Sequence, residues 1–175
     1  IGNERKKYFD FRVLDCQKLP FPDGHFQRVV ANHVLFYVQN IAKALEENSR
    51  VLSEDGIFYC STYGTGHMHE ITELVKEFDP RISLSEVALY KLFGLENGQK
   101  LLEPYFSSVE KRMYDDSLWV DKPEPLLDYI LSCHGNQSEL LYPRQREFKQ
   151  FLEEKIQRDG GISISKEAGI FICRK

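Results

Sequence analysis

Residues 14–38 read LDCQKLPFPDGHFQRVVANHVLFYV, and the fold turns on how this stretch divides. Two apolar runs, 11–14 and 29–31, each end at a polar residue, Asp15 and Asn32. Between them, Pro20 and Pro22 lack an N–H and Asp23–Gly24 is a strong turn pair. The segment around them therefore reads as a loop joining two strands. Polar residues closing buried strands suit the carboxyl edge of a parallel sheet, where ligands bind. They equally suit an ordinary strand end.

Working outward, Asn40 can cap a helix in which Ile41, Leu45, Val51 and Leu52 recur at helical spacing. Asp55–Gly56 ends it and turns into a third strand-like run, 57–64. Strand, loop, strand, helix, strand is the alternation of an α/β sheet. The strands read as continuous apolar runs, which predicts helices on both faces. Met68, Ile71, Leu74, Val75 and Phe78 share one helical face, and Asp79–Pro80 stops that helix. Further helical segments are expected at 85–93, 98–105, 124–134 and 143–158, with a strand over 108–120. Residues 162–175 read either as one long bulged strand or as a hairpin turning at 166–169. With no repeat and no linker, 1–175 reads as a single domain. Residues 80–107 and 121–159 read as helical insertions that lid a substrate site.

At 175 residues, 42% hydrophobic and 29% charged, the chain can bury a real core and is not of disordered composition. The net charge of -4 and the lack of a basic, aromatic-interleaved stripe disfavour a nucleic-acid partner. No apolar run reaches membrane-spanning length, so no membrane partner and a cytoplasmic location are expected. Cys16, Cys60, Cys133 and Cys173 form no CxxC pair and read as free thiols.

Two longer patterns carry a resemblance. Residues 11–29 fit F-x-V-x-D-x-x-x-L-P-F-x-D-x-x-F-x-x-V, and residues 45–56 fit L-x-E-x-x-R-V-L-x-x-x-G. In this order, followed by an aromatic-rich strand, they resemble class I S-adenosylmethionine-dependent methyltransferases of the type 11 branch. Gln27 stands where that family often has Asp. The resemblance implies a Rossmann-like α/β sheet in the order 3-2-1-4-5-7-6. This chain would enter just before the third strand, giving a partial sheet without the first two strands. The glycine-rich loop and the ribose-binding carboxylate of the family are not found in it. The implied activity is methyl transfer from S-adenosylmethionine to a small-molecule acceptor, with this chain alone inactive. Two other readings are a non-enzymatic piece that self-associates, as a homodimer through exposed strand edges, and a dinucleotide-dependent oxidoreductase.

The resemblance also implies roles. Asp15 would accept from the adenine amine while the Cys16 N–H meets a ring nitrogen. Asn32, His33 and Tyr37 would border the cofactor, with Phe36 beside them. His33 is a candidate proton acceptor and Tyr63 a candidate catalytic hydroxyl at the substrate side, next to Ser61, Thr62 and Gly64. Tyr129 and His134 would form substrate-pocket wall. Each has a plainer reading: a turn-capping Asp, an edge histidine against Phe36, loop chemistry after a strand, and helix packing. His67, His69 and His134 could be imagined as a metal set, but their spacing does not favour one, and no metal is expected.

Overall fold

The computed structural model describes residues 9–175. Four strands form one sheet: β1 (Phe26–Asn32), β2 (Leu52–Tyr63), β3 (Ser108–Val120) and β4 (Ile162–Arg174), in the spatial order β1-β2-β4-β3. β1 and β2 run parallel, and β4 runs antiparallel to both of its neighbours, β2 and β3. The helices are α1 (Ile41–Val51), α2 (His69–Phe78), α3 (Gly98–Leu102), α4 (Pro123–Leu131), α5 (Gln137–Leu140) and α6 (Gln145–Asp159).

The β1–α1–β2 order is the one the sequence predicts, but α1 ends at Val51 and β2 already begins at Leu52, so Asp55–Gly56 lie within the strand rather than at the helix end. Asn40 Oδ1 accepts from the Lys43 N–H at 3.1 Å, satisfying a donor of the first turn of α1. The conspicuous loop motif proves to be a staple. Arg50, near the end of α1, donates to Phe21 O (2.8 Å), Leu19 O (3.1 Å) and Asp23 Oδ1 (2.7 Å). Glu47 holds the same guanidinium and accepts from the Leu19 N–H at 2.8 Å. One planar fork thus ties carbonyls that the proline-containing loop could not satisfy within itself. With Arg50 beside it, the Glu47 carboxyl is held down at about 2.

Residues 11–15 were expected to form a strand, and they do not. The segment carries no ladder partner, with Val13 at 104% and Phe11 at 67% relative exposure. Among the described residues nothing lies where a second strand would pair with it, so its apolar pattern has no surface to meet. The expectation of helices on both faces also fails at this end of the sheet. Along β2, Phe58, Cys60 and Thr62 are buried while Ile57, Tyr59, Ser61 and Tyr63 are only half-buried, and Val30 on β1 is 58% exposed. Among the described residues, helical residues cover one side only.

The terminal segment resolves as one continuous strand, neither bulged nor a hairpin. β3 and β4 pair without a register shift from Ser108↔Arg174 to Val120↔Ile162. This ribbon outreaches β2, which pairs only with the last part of β4. Its two halves bury opposite faces. Phe171 and Cys173 join a first core with Phe58, Leu45, Phe93, Leu102 and Phe106. Ile164, whose odd sequence separation from Phe171 places it on the opposite face of the strand, joins a second core with Val75, Ile130, Phe148 and Leu152.

Residues 85–93 are not the expected helix. They hold bends and a single 3-10 turn, Leu89–Lys91. Within 80–107, Phe93 and Leu102 are fully buried in the first core. The four cysteines are free; Cys60 and Cys173 are buried side by side in that core, and their mutual contact and burial push the Cys60 thiol up.

Candidate functional site

A groove of about 780 Å³ opens at the carboxyl ends of β1 and β2. Ligands of open α/β sheets bind outside this edge. A smaller depression of about 450 Å³, bordered by Gly24, Arg28 and Glu54, lies at the amino end of β1, the wrong edge by that rule.

His33 follows β1 with a left-handed backbone, φ 50°, uncommon for a side-chain-bearing residue. Such a conformation costs about 1–3 kcal/mol and persists where surrounding contacts impose it. Here the His33 N–H donates to Ser61 O and Ser61 Oγ, both at 3.2 Å. Ser61 Oγ in turn donates to Asn32 Oδ1 at 3.3 Å. The turn brings the His33 ring parallel to Tyr63, with centroids 6.3 Å apart. Phe36 meets Tyr63 edge-on at 5.3 Å, and His67 lies 5.2 Å from Tyr63 on a tilt. Tyr90 stands at 67° to Tyr63, 6.5 Å away.

The loop after β2 is fixed from below. The Gly66 N–H donates to Glu167 Oε2 (2.5 Å), and the Thr65 N–H to Glu96 Oε1 (2.9 Å). Glu70 of α2 accepts from the Ser165 N–H at 3.1 Å and from its hydroxyl. Met68 enters α2 with φ 55°, and Tyr129 of α4 points its hydroxyl at Met68 Sδ, 3.8 Å away. Burial, with Tyr37, Tyr129 and Tyr90 close by, raises the Tyr63 hydroxyl above its ordinary range. Burial, reinforced by His33 and Lys166, holds His67 below the usual histidine value.

Of the residues expected from sequence, His33, Tyr37, Tyr63 and Tyr129 all line this groove. Asn32 sits at its foot through Ser61. His134 does not line it; it forms an isolated bridge with Ser85, one residue beyond Cys133, which does. Asp15 lies in a turn, where Oδ1 accepts from the Gln17 N–H (2.9 Å) and side-chain amide (3.1 Å), and these bonds lower its pKa. Cys16 beside it is half-buried. His67 and Tyr90 were missed as groove residues. Among the described residues, no three His, Cys, Asp or Glu are grouped to hold a metal ion.

The strand arrangement decides the fold. Reading β1, β2, β4 and β3 as strands 4, 5, 7 and 6 reproduces the 4-5-7-6 half of the methyltransferase sheet, including the antiparallel strand 7 wedged between 5 and 6. A dinucleotide-binding sheet in the order 3-2-1-4-5-6 has no such strand. The chain carries a class I methyltransferase fold, with an incomplete sheet.

Comparison with known proteins agrees with this fold. Residues 2–60 match the family model described as "Methyltransferase domain". Among solved structures, the YcgJ protein of Bacillus subtilis aligns with a TM-score of 0.57 and 16% identity, covering 98% of this chain and 75% of its own. A methyltransferase of Thermotoga maritima gives 0.50 at 14% identity, covering 97% and 65%. Among curated proteins, the rat protein named arginine-hydroxylase NDUFAF5 is 34% identical over 79 residues, 41% of this chain and 23% of its own length. A malonyl-acyl-carrier-protein O-methyltransferase of Geobacter sulfurreducens is 34% identical over 59 residues, 34% of this chain and 22% of its own. These matches thus span less than a quarter of the curated relatives' length. The matched stretch occurs in proteins named for two different reactions, so the stretch alone does not set the chemistry. Among the described residues, no helix is long and apolar enough to cross a membrane.

Proposed function

We propose that this chain supplies the acceptor side of an S-adenosylmethionine-dependent methyltransferase acting on a small molecule. The observation that carries the reading is the meeting of His33 and Tyr63, from the carboxyl ends of β1 and β2, in one aromatic groove of a 4-5-7-6 sheet. S-adenosylmethionine supplies a methyl group already activated on a cationic sulfur. The protein's task is then to orient the acceptor and exclude water. Asp15, whose Oδ1 is held by the Gln17 N–H and side-chain amide, would accept from the adenine amine, as the family resemblance implies. Asn32, His33 and Tyr37 would border the cofactor. Tyr63 and Tyr129 would hold the acceptor, and His33 would receive its proton where the acceptor atom must lose one. His134, beside Ser85, would support the wall rather than touch the acceptor.

Calorimetry tests this on a chain extended to include the glycine-loop half of the sheet. Heat of binding is expected with S-adenosylmethionine and its demethylated product, and Asp15→Asn should weaken both about tenfold, the scale of one charged hydrogen-bond partner. No heat with either ligand would remove the methyltransferase reading. Unchanged affinity in Asp15→Asn would place that residue outside the adenine pocket.

We further propose that the chain taken alone pairs with a second copy through the β1 edge. Val30, Val13 and Phe11 leave apolar surface beside unpaired backbone, the arrangement that invites strand addition. Light scattering should show a species of twice 20.5 kDa growing with concentration. A 20.5 kDa monomer throughout would rule the pairing out.

A further inference from the structure

We propose that the groove selects a ligand bearing a cationic nitrogen, held by cation–π contact with Tyr37, Tyr63, Tyr90 and Tyr129. This rests on the methyltransferase reading for the ligand's role as acceptor, but not for its charge.

Three observations converge. First, the walls are electron-rich rings set at steep angles. Tyr90 stands at 67° to Tyr63, Phe36 at 68° to Tyr63, and Tyr37 at 68° to Phe36. Rings meeting at corners present faces and hydroxyl edges to one shared space, which suits a compact cation better than a flat neutral ring. The four tyrosines come from four separate parts of the chain: the turn after β1, the end of β2, the 3-10 turn at 89–91, and α4. Tyr129 closes the far side, at 46% exposure.

Second, the field at the α2 end is negative. His69 is raised above its ordinary value by the Gly66 carbonyl, 2.9 Å from Nδ1, and by Glu70, Glu73 and Glu167. Those carboxylates have come together from α2 and β4 around the same loop.

Third, the positive groups nearby are paired or buried, His69 itself lying 3.5 Å from Glu70. Burial holds the His67 imidazole below its ordinary value, and its Nδ1 is sealed from solvent without a protein partner. Lys166 is tied to Asp116 at 2.6 Å. Lys76 is the single lysine or arginine among the described lining residues, and Glu73 lies one turn before it on α2. Glu73 thus offsets Lys76 within the lining, with Glu70 and Glu167 behind the α2 end, so an ammonium meets rings and a carboxylate where a carboxylate-bearing ligand meets one lysine already faced by an acid.

The test needs no cofactor and uses the chain as it stands. Choline and its neutral isostere 3,3-dimethyl-1-butanol are titrated into protein with isotope-labelled tyrosine, following the ring signals by NMR. Choline should shift the signals of Tyr63, Tyr90 and Tyr129 and bind about tenfold tighter than the isostere. Tyr90→Leu should lose about that factor, while Tyr129→Phe, which keeps the ring, should stay within about twofold. Equal binding of the two probes overturns the inference. So does the absence of any tyrosine shift in protein whose near-ultraviolet circular dichroism shows fixed packing. Calorimetry with S-adenosylmethionine reports separately. Cofactor heat without choline selectivity removes this inference alone, and choline selectivity without cofactor heat removes only the methyl-transfer role.

Discussion

Phe171→Ala should lower the unfolding free energy by about 3–5 kcal/mol, the range for emptying a fully buried aromatic site. Phe171 is wholly inaccessible and sits on β4 between Cys60 and Lys111 in the ladder. Its ring meets Phe93 edge-on at 5.9 Å. A Cβ built on Gly98 would come within 2.5 Å of it, so α3 lies directly on the ring. The surroundings have little freedom to collapse into the hole, because Phe93 is itself anchored: its carbonyl accepts from the buried Thr62 hydroxyl at 2.7 Å. The loss therefore reaches the site, since Thr62 is the residue before Tyr63. Urea denaturation should show the midpoint falling with an unchanged slope. A loss below about 1 kcal/mol would mean that the first core relaxes freely around α3. Phe171→Leu, which keeps most of the apolar volume, should recover much of the stability.

The contrast between the two ends of β4 shows what the sequence could and could not disclose. β1, α1 and β2 were legible because their signals are local: Asn40 as a cap, and apolar spacing that switches period between them; Asp55–Gly56, read as the stop of the helix, instead lies inside β2, since α1 already ends at Val51. The helices with clear apolar faces, α2, α4 and α6, were legible for the same reason. Residues 11–15 carry an equally good strand pattern, yet a strand needs a neighbour and the described residues offer none. The one-sided cover of β1 and β2 was hidden too, because an apolar run does not state what lies on each face. In the site, His33, Tyr63 and Tyr129 could be named from the family resemblance, which assigns ligands to those strand ends and to that helical region. Tyr90 could not, as its neighbourhood was read as a helix and folds instead as bends around a 3-10 turn. Its direction is set by Leu89 packing against the first core and by contacts over long sequence separations. The Arg50 and Glu47 staple stands between these cases: its residues were visible as a pattern, but the pattern said nothing of the loop carbonyls they hold.

Gly135→Ala should open the groove wall and destabilise the protein together. Gly135 follows α4, where the chain passes against residues 83–84, and an added Cβ would lie 1.8 Å from Ser83 O and 2.7 Å from the Leu84 carbonyl carbon. Both are backbone atoms, so no side-chain rotation relieves the clash. The neighbouring contacts resist a shift. Asn136 Oδ1 accepts from the Ser83 N–H at 2.7 Å, its amide donates to Arg81 O at 2.9 Å, and its own N–H donates to Ser83 O at 2.9 Å. Separating the two segments breaks this set and withdraws Ser83, Leu84 and Ser85 from the groove that Tyr129 and Cys133 close from the other side. Overpacking of this kind costs about 1–3 kcal/mol, and backbone displacement puts the expected loss at the upper end. A second glycine separates this effect from a generic loss. Gly160 caps α6 at φ 78° with nothing within 4 Å of a built Cβ, so Gly160→Asn should fold nearly as well as the parent. Thermal melts of the two variants, with tyrosine ring signals read in parallel, decide the matter. Gly135→Ala should melt well below Gly160→Asn and shift the Tyr129 signals. Equal melting of the two would show that residues 83–84 and 135 do not close on each other, and the wall would have to be drawn without that contact.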